Sequence, residues 1–159
     1  MTDVTTRPLS PSEFDAWQDA VARGYADSQV AAGVWPADEA LDRAVELNRT
    51  LLPHGLDTPG VLLLRGVRAD GTPVGRLWIS LTHPRGVSDC AFLFDIEVDA
   101  AFRGQGLGRA LLGAAEAAVR EHGITQLELN VFGDNAVAIG LYASAGYQVV
   151  TQQMRRRLT

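Results

Sequence analysis

The sequence predicts an α+β (mixed α/β) fold, in which helices cover both faces of one sheet. Two observations lead to this fold class. The first sixty residues carry only helical periodicity, and residues 61–98 carry the alternation of β-strands. Beyond residue 103, helix and strand signals alternate without a linker or a repeat. With 159 residues, 47% of them hydrophobic, the chain is expected to form a single domain spanning residues 1–159.

Two helices are predicted before residue 60. Ser10 is a capping residue, Pro11 suits the first helical position and Glu13 completes a capping box, so the first helix is expected to begin at Pro11. The second is expected from about Pro36 to Leu52, because apolar residues recur along one face and Pro-His-Gly follows.

Three strands are predicted next. Residues 61–64 and 74–81 flank an Asp-Gly-Thr-Pro turn and indicate a hairpin, and another strand is expected over residues 91–98. Side chains alternate along a strand. In the strand predicted over residues 91–98, this alternation places Phe92, Phe94, Ile96 and Val98 on one face. It places Asp95, Glu97 and Asp99 on the other.

The remaining elements follow in the order helix, strand, helix, strand. A third helix is predicted from Leu107 to about His122, and a strand over residues 124–131. A fourth helix is expected from Asp134-Asn135 through Ala145, where Gly146 ends it. A terminal strand or strand pair should come last, with the Arg155–Arg157 cluster in an edge strand.

Charge and composition exclude several classes of function. The net charge of −5 disfavours a nucleic-acid partner, and no apolar run has the length of a membrane span. The first residues lack the features of a signal peptide, so a cytoplasmic location is expected. Cys90, the single cysteine, is interpreted as core filler. The three histidines lack metal-ligand spacing and are interpreted as surface residues, so no metal site is predicted.

The segment Arg103–Arg109, with sequence RGQGLGR, lies between a strong strand and a strong helix. Its glycines let backbone N–H groups approach an anion, and the start of the helix adds partial positive charge. A nucleoside-triphosphatase loop requires a Lys, and all fourteen basic residues of this chain are Arg. A dinucleotide fold requires Gly where this chain has Arg109. The remaining alternative to a phosphate site is an ordinary strand-to-helix turn.

These residues resemble the Arg/Gln-x-x-Gly-x-Gly/Ala signature of the Gcn5-related N-acetyltransferases. Arg103, Gly106 and Gly108 take its three defining positions, and Val98 stands five residues ahead, as in the family. A second motif of the family is similar to residues downstream, namely Leu129, Val131, Asn135, Ala138, Leu141, Tyr142, Gly146 and Tyr147. The resemblance implies an acetyl-CoA-dependent N-acetyltransferase with a mostly antiparallel sheet and two N-terminal helices on the substrate side.

The resemblance also implies roles for individual residues. The backbone of Ile96 to Val98 would pair with the pantetheine arm of acetyl-CoA. The amides of the loop would hold its pyrophosphate, and these belong to Arg103, Gly104, Gln105, Gly106, Leu107, Gly108 and Arg109. Asn135 would lie near the pantetheine, although it is also a good helix cap. Tyr142 would protonate the departing thiolate, the alternative being a core tyrosine.

The acceptor is expected to be an amine of a small molecule or of a peptide. Glu97, or else Asp95, is the candidate base, directly or through water. Family members that modify ribosomal proteins carry Glu where this chain has Asn130, and Asn cannot act as a base. A non-catalytic acyl-CoA-binding module and a toxin-type enzyme acting on aminoacyl-tRNA are the alternatives, and the acidic balance disfavours the latter. A cationic acceptor and a homodimer are further expectations.

Overall fold

A computed structural model of the chain describes residues 3–159 and contains a five-stranded sheet with four α-helices. In chain order the elements are β1 (Thr5–Pro8), α1 (Pro11–Ala31), α2 (Ala40–Leu51), β2 (Val61–Val67), β3 (Pro73–Ser80), β4 (Cys90–Val98), α3 (Leu107–Glu121), β5 (Gln126–Leu129) and α4 (Ala136–Ser144). Each helix and strand predicted before residue 146 is present, with ends shifted by a few residues. Within the described residues, no helix has both the length and the apolar character needed to cross a bilayer.

The sheet follows chain order, β1-β2-β3-β4-β5. The first three pairings are antiparallel, and β4 pairs with β5 in parallel because α3 carries the chain back across the sheet. The mostly antiparallel sheet of the predicted α+β fold is therefore confirmed. β1 was not predicted, since it has four residues and ends in a proline, which cannot donate to a ladder.

Each face of the sheet carries its own core. On one face, α3 packs its buried residues Leu111, Leu112 and Ala115 against Leu77 and Ile79 of β3, and α4 joins the same cluster. On the other face, Trp17 and Val21 of α1 pack against Leu63 and Trp78. Helices on both faces are thus confirmed, with α1 and α2 separated by the sheet from α3 and α4.

A β-bulge in β4 reverses the predicted alternation. Trp78 pairs with Asp95, but Ile79 pairs with Leu93, so Phe94 is an extra residue in β4. Phe92 and Phe94 contact the α1 side, where Phe94 lies 5.0 Å from the Trp78 ring. Ile96 and Val98 pack on the α3 side. The prediction that all four share one face is wrong, because a bulge shifts the period by one residue.

The chain after α4 departs from the prediction. Residues 147–159 contain no helix or strand, and residues 148–159 are all exposed. The predicted terminal strand, including an edge strand at Arg155–Arg157, is therefore wrong for the isolated chain. Arg155 instead donates a hydrogen bond to the Ala32 carbonyl, at the end of α1, at 3.1 Å.

Candidate active site

The sheet opens between β4 and β5. The two strands pair from Cys90 with Gln126 to Leu93 with Leu129, where β5 ends, while β4 continues to Val98. No strand of the described chain pairs with residues 94–98 on this side. Their backbone N–H and C=O groups therefore form a short free edge that can bind an extended ligand. Ile96, Glu97 and Val98, three of the predicted site residues, lie on it.

The predicted phosphate loop lies beyond the end of β4. Gly104 and Gly106 have φ of 77° and 76°, a region that glycine enters without strain. A Cβ on either would meet no atom within 4 Å, so both face open space. Gly106 caps α3 without a side chain, and the first N–H groups of a helix have no partner within it. These amides, including that of buried Leu107, and the helix dipole suit an anion.

The side chains of the loop are anchored to its surroundings. Arg103 forms an ion pair with Glu97, with 2.6 Å between Nη2 and Oε1. Gln105 accepts a hydrogen bond of 2.8 Å from Arg68, which also lies over the Phe102 ring. Arg109 donates to the Ser144 hydroxyl at the end of α4. Two predicted site residues, Arg103 and Glu97, therefore contact each other.

α4 packs against the first turn of α3 at Gly108. A Cβ at Gly108 would lie 3.4 Å from Cδ2 of Leu141 on α4, which is an ordinary contact distance. This contact places Leu141, and with it the neighbouring Tyr142, beside the start of α3. The amide of Gly108 belongs to the same first turn.

Two carboxylates follow the bulge of β4. Asp95 is paired across the sheet with Trp78, a residue of the α1-side core, and its carboxylate accepts a 2.8 Å hydrogen bond from Arg76. Burial raises the pKa of Asp95, against the opposing effect of the Arg76 guanidinium. Glu97 is more open, with 40% of its side chain exposed.

Tyr142 reaches the same region from α4. It is half-buried and packs against the core on the α3 side, with its ring 5.8 Å from that of Tyr147. Burial raises the pKa of its phenol, and the negative charges of Asp95 and Glu97 raise it further. With its pKa raised above about 10, the phenol stays protonated at neutral pH.

Asn135 occupies the start of α4. Its side-chain oxygen accepts a hydrogen bond of 3.2 Å from the Ala138 N–H, so it is the N-cap of the helix. The helix-cap interpretation is confirmed, and the ligand role remains a prediction.

The features above fit acetyl-CoA. Open space over two glycines with positive φ suits a phosphate group, and the free edge of β4 suits an extended, amide-containing chain. The α1 face offers a separate cavity of about 390 Å³ lined by Trp17, Arg65, Arg76 and Asp99, among others.

A second polar cluster lies away from this opening. His83 is 3% exposed, so its interpretation as a surface residue was wrong, and its Nε2 lies 2.6 Å from Glu128 of β5. With Cys90, these side chains place three potential metal ligands within 4.8 Å of one another. However, Nδ1 of His83 accepts the Arg85 N–H at 3.0 Å, and Arg85 also pairs with Glu128.

This hydrogen bonding indicates a structural role for the cluster. An imidazole whose Nδ1 accepts a backbone N–H carries its proton on Nε2, where a metal would bind, and metal-ligating histidines instead donate from the second nitrogen. The cluster ties the β3–β4 loop to β5. Burial raises the pKa of Cys90, which suits a thiol that only fills the core.

Comparison with known proteins gives consistent matches over most of the chain. The sequence profile of the Acetyltransferase (GNAT) family matches residues 20–147. The uncharacterized N-acetyltransferase YycN of Bacillus subtilis strain 168 is 32% identical over 151 residues, which cover 95% of this chain and 96% of YycN. The crystal structure of YycN superposes with a TM-score of 0.92 at 31% identity, covering 98% of this chain and 99% of that one.

Two further proteins match at lower coverage or identity. The ribosomal protein bS18-alanine N-acetyltransferase of Escherichia coli strain K12 is 45% identical over 65 residues, 41% of this chain and 44% of that enzyme. The PaiA N-acetyltransferase of Thermoplasma acidophilum, solved in complex with coenzyme A, has a TM-score of 0.66 at 19% identity, covering 95% of this chain and 93% of that one, and shares the fold.

Proposed function

This chain belongs to the acetyltransferase (GNAT) family and is an acetyltransferase, and we propose that it transfers an acetyl group from acetyl-CoA to an amine by direct attack in a ternary complex. One observation carries the proposal. β4 runs past the end of β5 and leads directly into the glycine loop, and Gly108 in the first turn of α3 lies against Leu141, the neighbour of Tyr142 on α4. Bound acetyl-CoA supplies the thioester, and the other groups belong to this chain.

The reaction requires two proton transfers, one to the departing sulfur and one from the amine, and different side chains carry them out. When the amine nitrogen forms its bond to the acetyl carbon, the bond from that carbon to sulfur breaks, and the sulfur needs a proton. Tyr142 donates it, since burial keeps the phenol protonated. The amine must lose a proton in turn. Glu97 is our choice for its acceptor, because its side chain is 40% exposed, against 19% for Asp95. Asp95 is held by Arg76 and is the second choice.

The base matters more for some acceptors than for others. At pH 7 an amine of pKa about 10.4 is neutral only about once in 2,500, which corresponds to roughly 4.6 kcal/mol, against about 1 kcal/mol for an α-amine. The bS18-alanine N-acetyltransferase acts on an alanine amine according to its name. We therefore propose an amine of a small molecule or of a peptide or protein as the acceptor, with an α-amine making the lesser demand on Glu97.

A panel of acceptors tests the proposal. The protein is incubated with acetyl-CoA and, in turn, peptides with a free α-amine, N-blocked peptides containing lysine, and small amines. Free CoA is read with a thiol reagent, and the product is confirmed by its added acetyl mass. We expect release that depends on both substrates. If CoA binds but no amine of any class supports release, the non-catalytic acyl-CoA-binding module replaces this proposal.

A further inference from the structure

The Arg103 side chain joins the candidate base to the free edge of β4. Its Nη2 lies 2.6 Å from Oε1 of Glu97, and its Nε donates a hydrogen bond of 3.4 Å to the Val98 carbonyl. That carbonyl faces the free edge. The N–H of the next residue, Asp99, donates to Val74 of β3 at 2.8 Å, and successive residues of a strand turn their backbone groups to opposite sides. The guanidinium therefore lies where an extended ligand would pair with β4.

This position brings the Arg103 guanidinium into competition with the coenzyme proposed above. A pantetheine amide that donates to the Val98 carbonyl needs the space that Nε of Arg103 occupies in the free protein. Vacating that space costs little. The side chains of Arg103 and Glu97 are 61% and 40% exposed, and an ion pair of such exposure contributes little to stability because water screens it. The pair can therefore form in the free protein and break when a ligand binds.

The same ligand brings a stronger partner for Arg103. This residue begins the loop in which Gly104 and Gly106 face open space, the site proposed for the pyrophosphate. A guanidinium binds a phosphate through two parallel N–H bonds, whereas Glu97 receives one hydrogen bond from it. Among residues 3–159, Arg103 forms an ion pair with no other carboxylate. A phosphate group in the loop therefore competes with Glu97 alone for this side chain.

We propose that Arg103 is a positioning residue, which holds Glu97 in the free protein and releases it when acetyl-CoA binds. The inference rests on the acetyl transfer proposed above, in which Glu97 accepts the proton of the amine. While Arg103 is bound to Oε1, only Oε2 is without a hydrogen bond from the described residues. After the exchange both oxygens are open to the amine. An amine that arrives before the donor meets a base that is already paired, so donor binding precedes productive binding of the acceptor.

Affinity for CoA tests the competition without requiring turnover. Glu97→Gln removes the charge that holds Arg103, so CoA should bind about two- to fivefold more tightly in titration calorimetry. Arg103→Gln should weaken binding, because a phosphate contact is lost. The chain with both substitutions is the control for electrostatics. Without Arg103, Glu97→Gln should no longer tighten binding, whereas simple repulsion between Glu97 and the phosphates would make it do so in both backgrounds.

The choice of donor tests the release of Glu97. S-acetylpantetheine has the same thioester and arm as acetyl-CoA but no phosphate, so nothing in it competes with Glu97 for the guanidinium. Arg103→Gln should therefore lower kcat/KM with acetyl-CoA and raise it with S-acetylpantetheine, each by about two- to fivefold. Arg68→Gln is the matched control. Arg68 donates to Gln105 of the same loop at 2.8 Å and not to Glu97, so its loss should not raise the rate with either donor.

The outcomes separate this inference from the function on which it rests. If no amine accepts an acetyl group from acetyl-CoA, both the acetyl transfer and the role of Arg103 are wrong. Transfer from acetyl-CoA, combined with CoA binding that Glu97→Gln leaves unchanged or weakens, would overturn only the role of Arg103. Tighter binding in both backgrounds would do the same. So would a loss of rate with both donors in Arg103→Gln.

Discussion

The Tyr142 hydroxyl offers the sharpest test at the scale of single residues. Tyr142→Phe removes the proton donor and leaves the ring that packs beside Tyr147. We expect kcat to fall by about 10- to 1,000-fold with nearly unchanged affinity for CoA, because thiolate is already a fair leaving group. Steady-state kinetics and CoA titration measure the two quantities. Tyr147→Phe is the control, since its hydroxyl donates to Glu116 on α3 instead. An unchanged kcat would show that Tyr142 only packs in the core and does not donate the proton.

Gly106 tests the location of the coenzyme. Gly106→Glu puts a side chain and a negative charge into the open space over the first turn of α3, and it also strains a residue at φ 76°. We expect CoA no longer to raise the melting temperature. Gly71→Glu separates the two effects, because Gly71 also has a positive φ and open space but lies in the β2–β3 turn. That control should melt lower and still respond to CoA. Retained CoA affinity in folded Gly106→Glu would locate the site elsewhere.

At the scale of elements, replacing either of two glycines by alanine should change the stability in opposite directions. A Cβ at Gly75 of β3 would lie 2.7 Å from the Glu97 carbonyl oxygen and 2.7 Å from Leu111 of α3, so Gly75→Ala must push β4 or α3 away. We expect a loss of about 1–3 kcal/mol in the free energy of unfolding. Gly113 lies within α3 with nothing near its missing Cβ, and Gly113→Ala should gain about 0.5–1 kcal/mol. Urea denaturation measures the change in the free energy of unfolding of each variant. Changes of the same sign would contradict the packing around Gly75 and Gly113.

The contribution of the start of α1 to the stability of the fold depends on pH. Glu13 accepts hydrogen bonds from Arg7 and from the Ser10 backbone, and the Arg7 bond is the main cause that lowers the pKa of Glu13 to about 2. A depressed carboxyl pKa stabilises the folded state above the unfolded pKa, and this stabilisation is lost as pH falls through the folded value.

Glu13→Gln should therefore cost about 1 kcal/mol at pH 7, a figure reduced for the solvent exposure of the Arg7–Glu13 pair, and almost nothing near pH 2. Urea denaturation at several values between pH 7 and pH 2 follows the change. Glu121→Gln, at an exposed position at the end of α3, should show little dependence over this range. A constant difference for Glu13→Gln across the range would show that the ion pair contributes nothing.

The same elements show what the sequence could predict. Cap residues and apolar periodicity are local signals, and they located α1, α3 and the β2–β3 hairpin closely. The bulge at Phe94 has no such signal, since it arises from the pairing of β4 with β3, and it moved Ile96 and Val98 to the α3 face. The pairing of Arg103 with Glu97 and the burial of His83 against Glu128 also depend on distant contacts. A strand beyond α4 was predicted from a pattern whose partner the single chain does not provide.

At the scale of the whole molecule, charge is distributed unevenly along the chain, and this distribution could favour a cationic acceptor. Residues 61–159 hold nine acidic and ten basic residues, whereas the first sixty hold ten acidic and four basic, so the net negative charge of the chain comes from the first sixty. Apart from Glu13, the acidic residues of α1, α2 and the turn between them are exposed. Four of them are already paired with arginines, namely Glu13 with Arg7, Asp19 with Arg23, Glu39 with Arg43 and Glu46 with Arg49. Asp15, Asp27, Asp38 and Asp42 remain to attract a cation. The alternative is that these side chains only solvate the outer faces of the helices.

If the field of the helices steers a cationic amine, kcat/KM must fall as salt rises, because the screening length shortens from about 10 Å at 0.1 M to about 3 Å at 1 M. A neutral acceptor measured in parallel separates this effect from weaker CoA binding, which both acceptors share. Asp27→Asn with Asp42→Asn should reduce the salt dependence, whereas Glu121→Gln on the other half should not. A salt-independent kcat/KM, or a preference for anionic acceptors, would remove the steering hypothesis. Since the chain has no Lys, any acetyl-lysine formed in such an assay must belong to the acceptor, so the signal measures transfer between molecules.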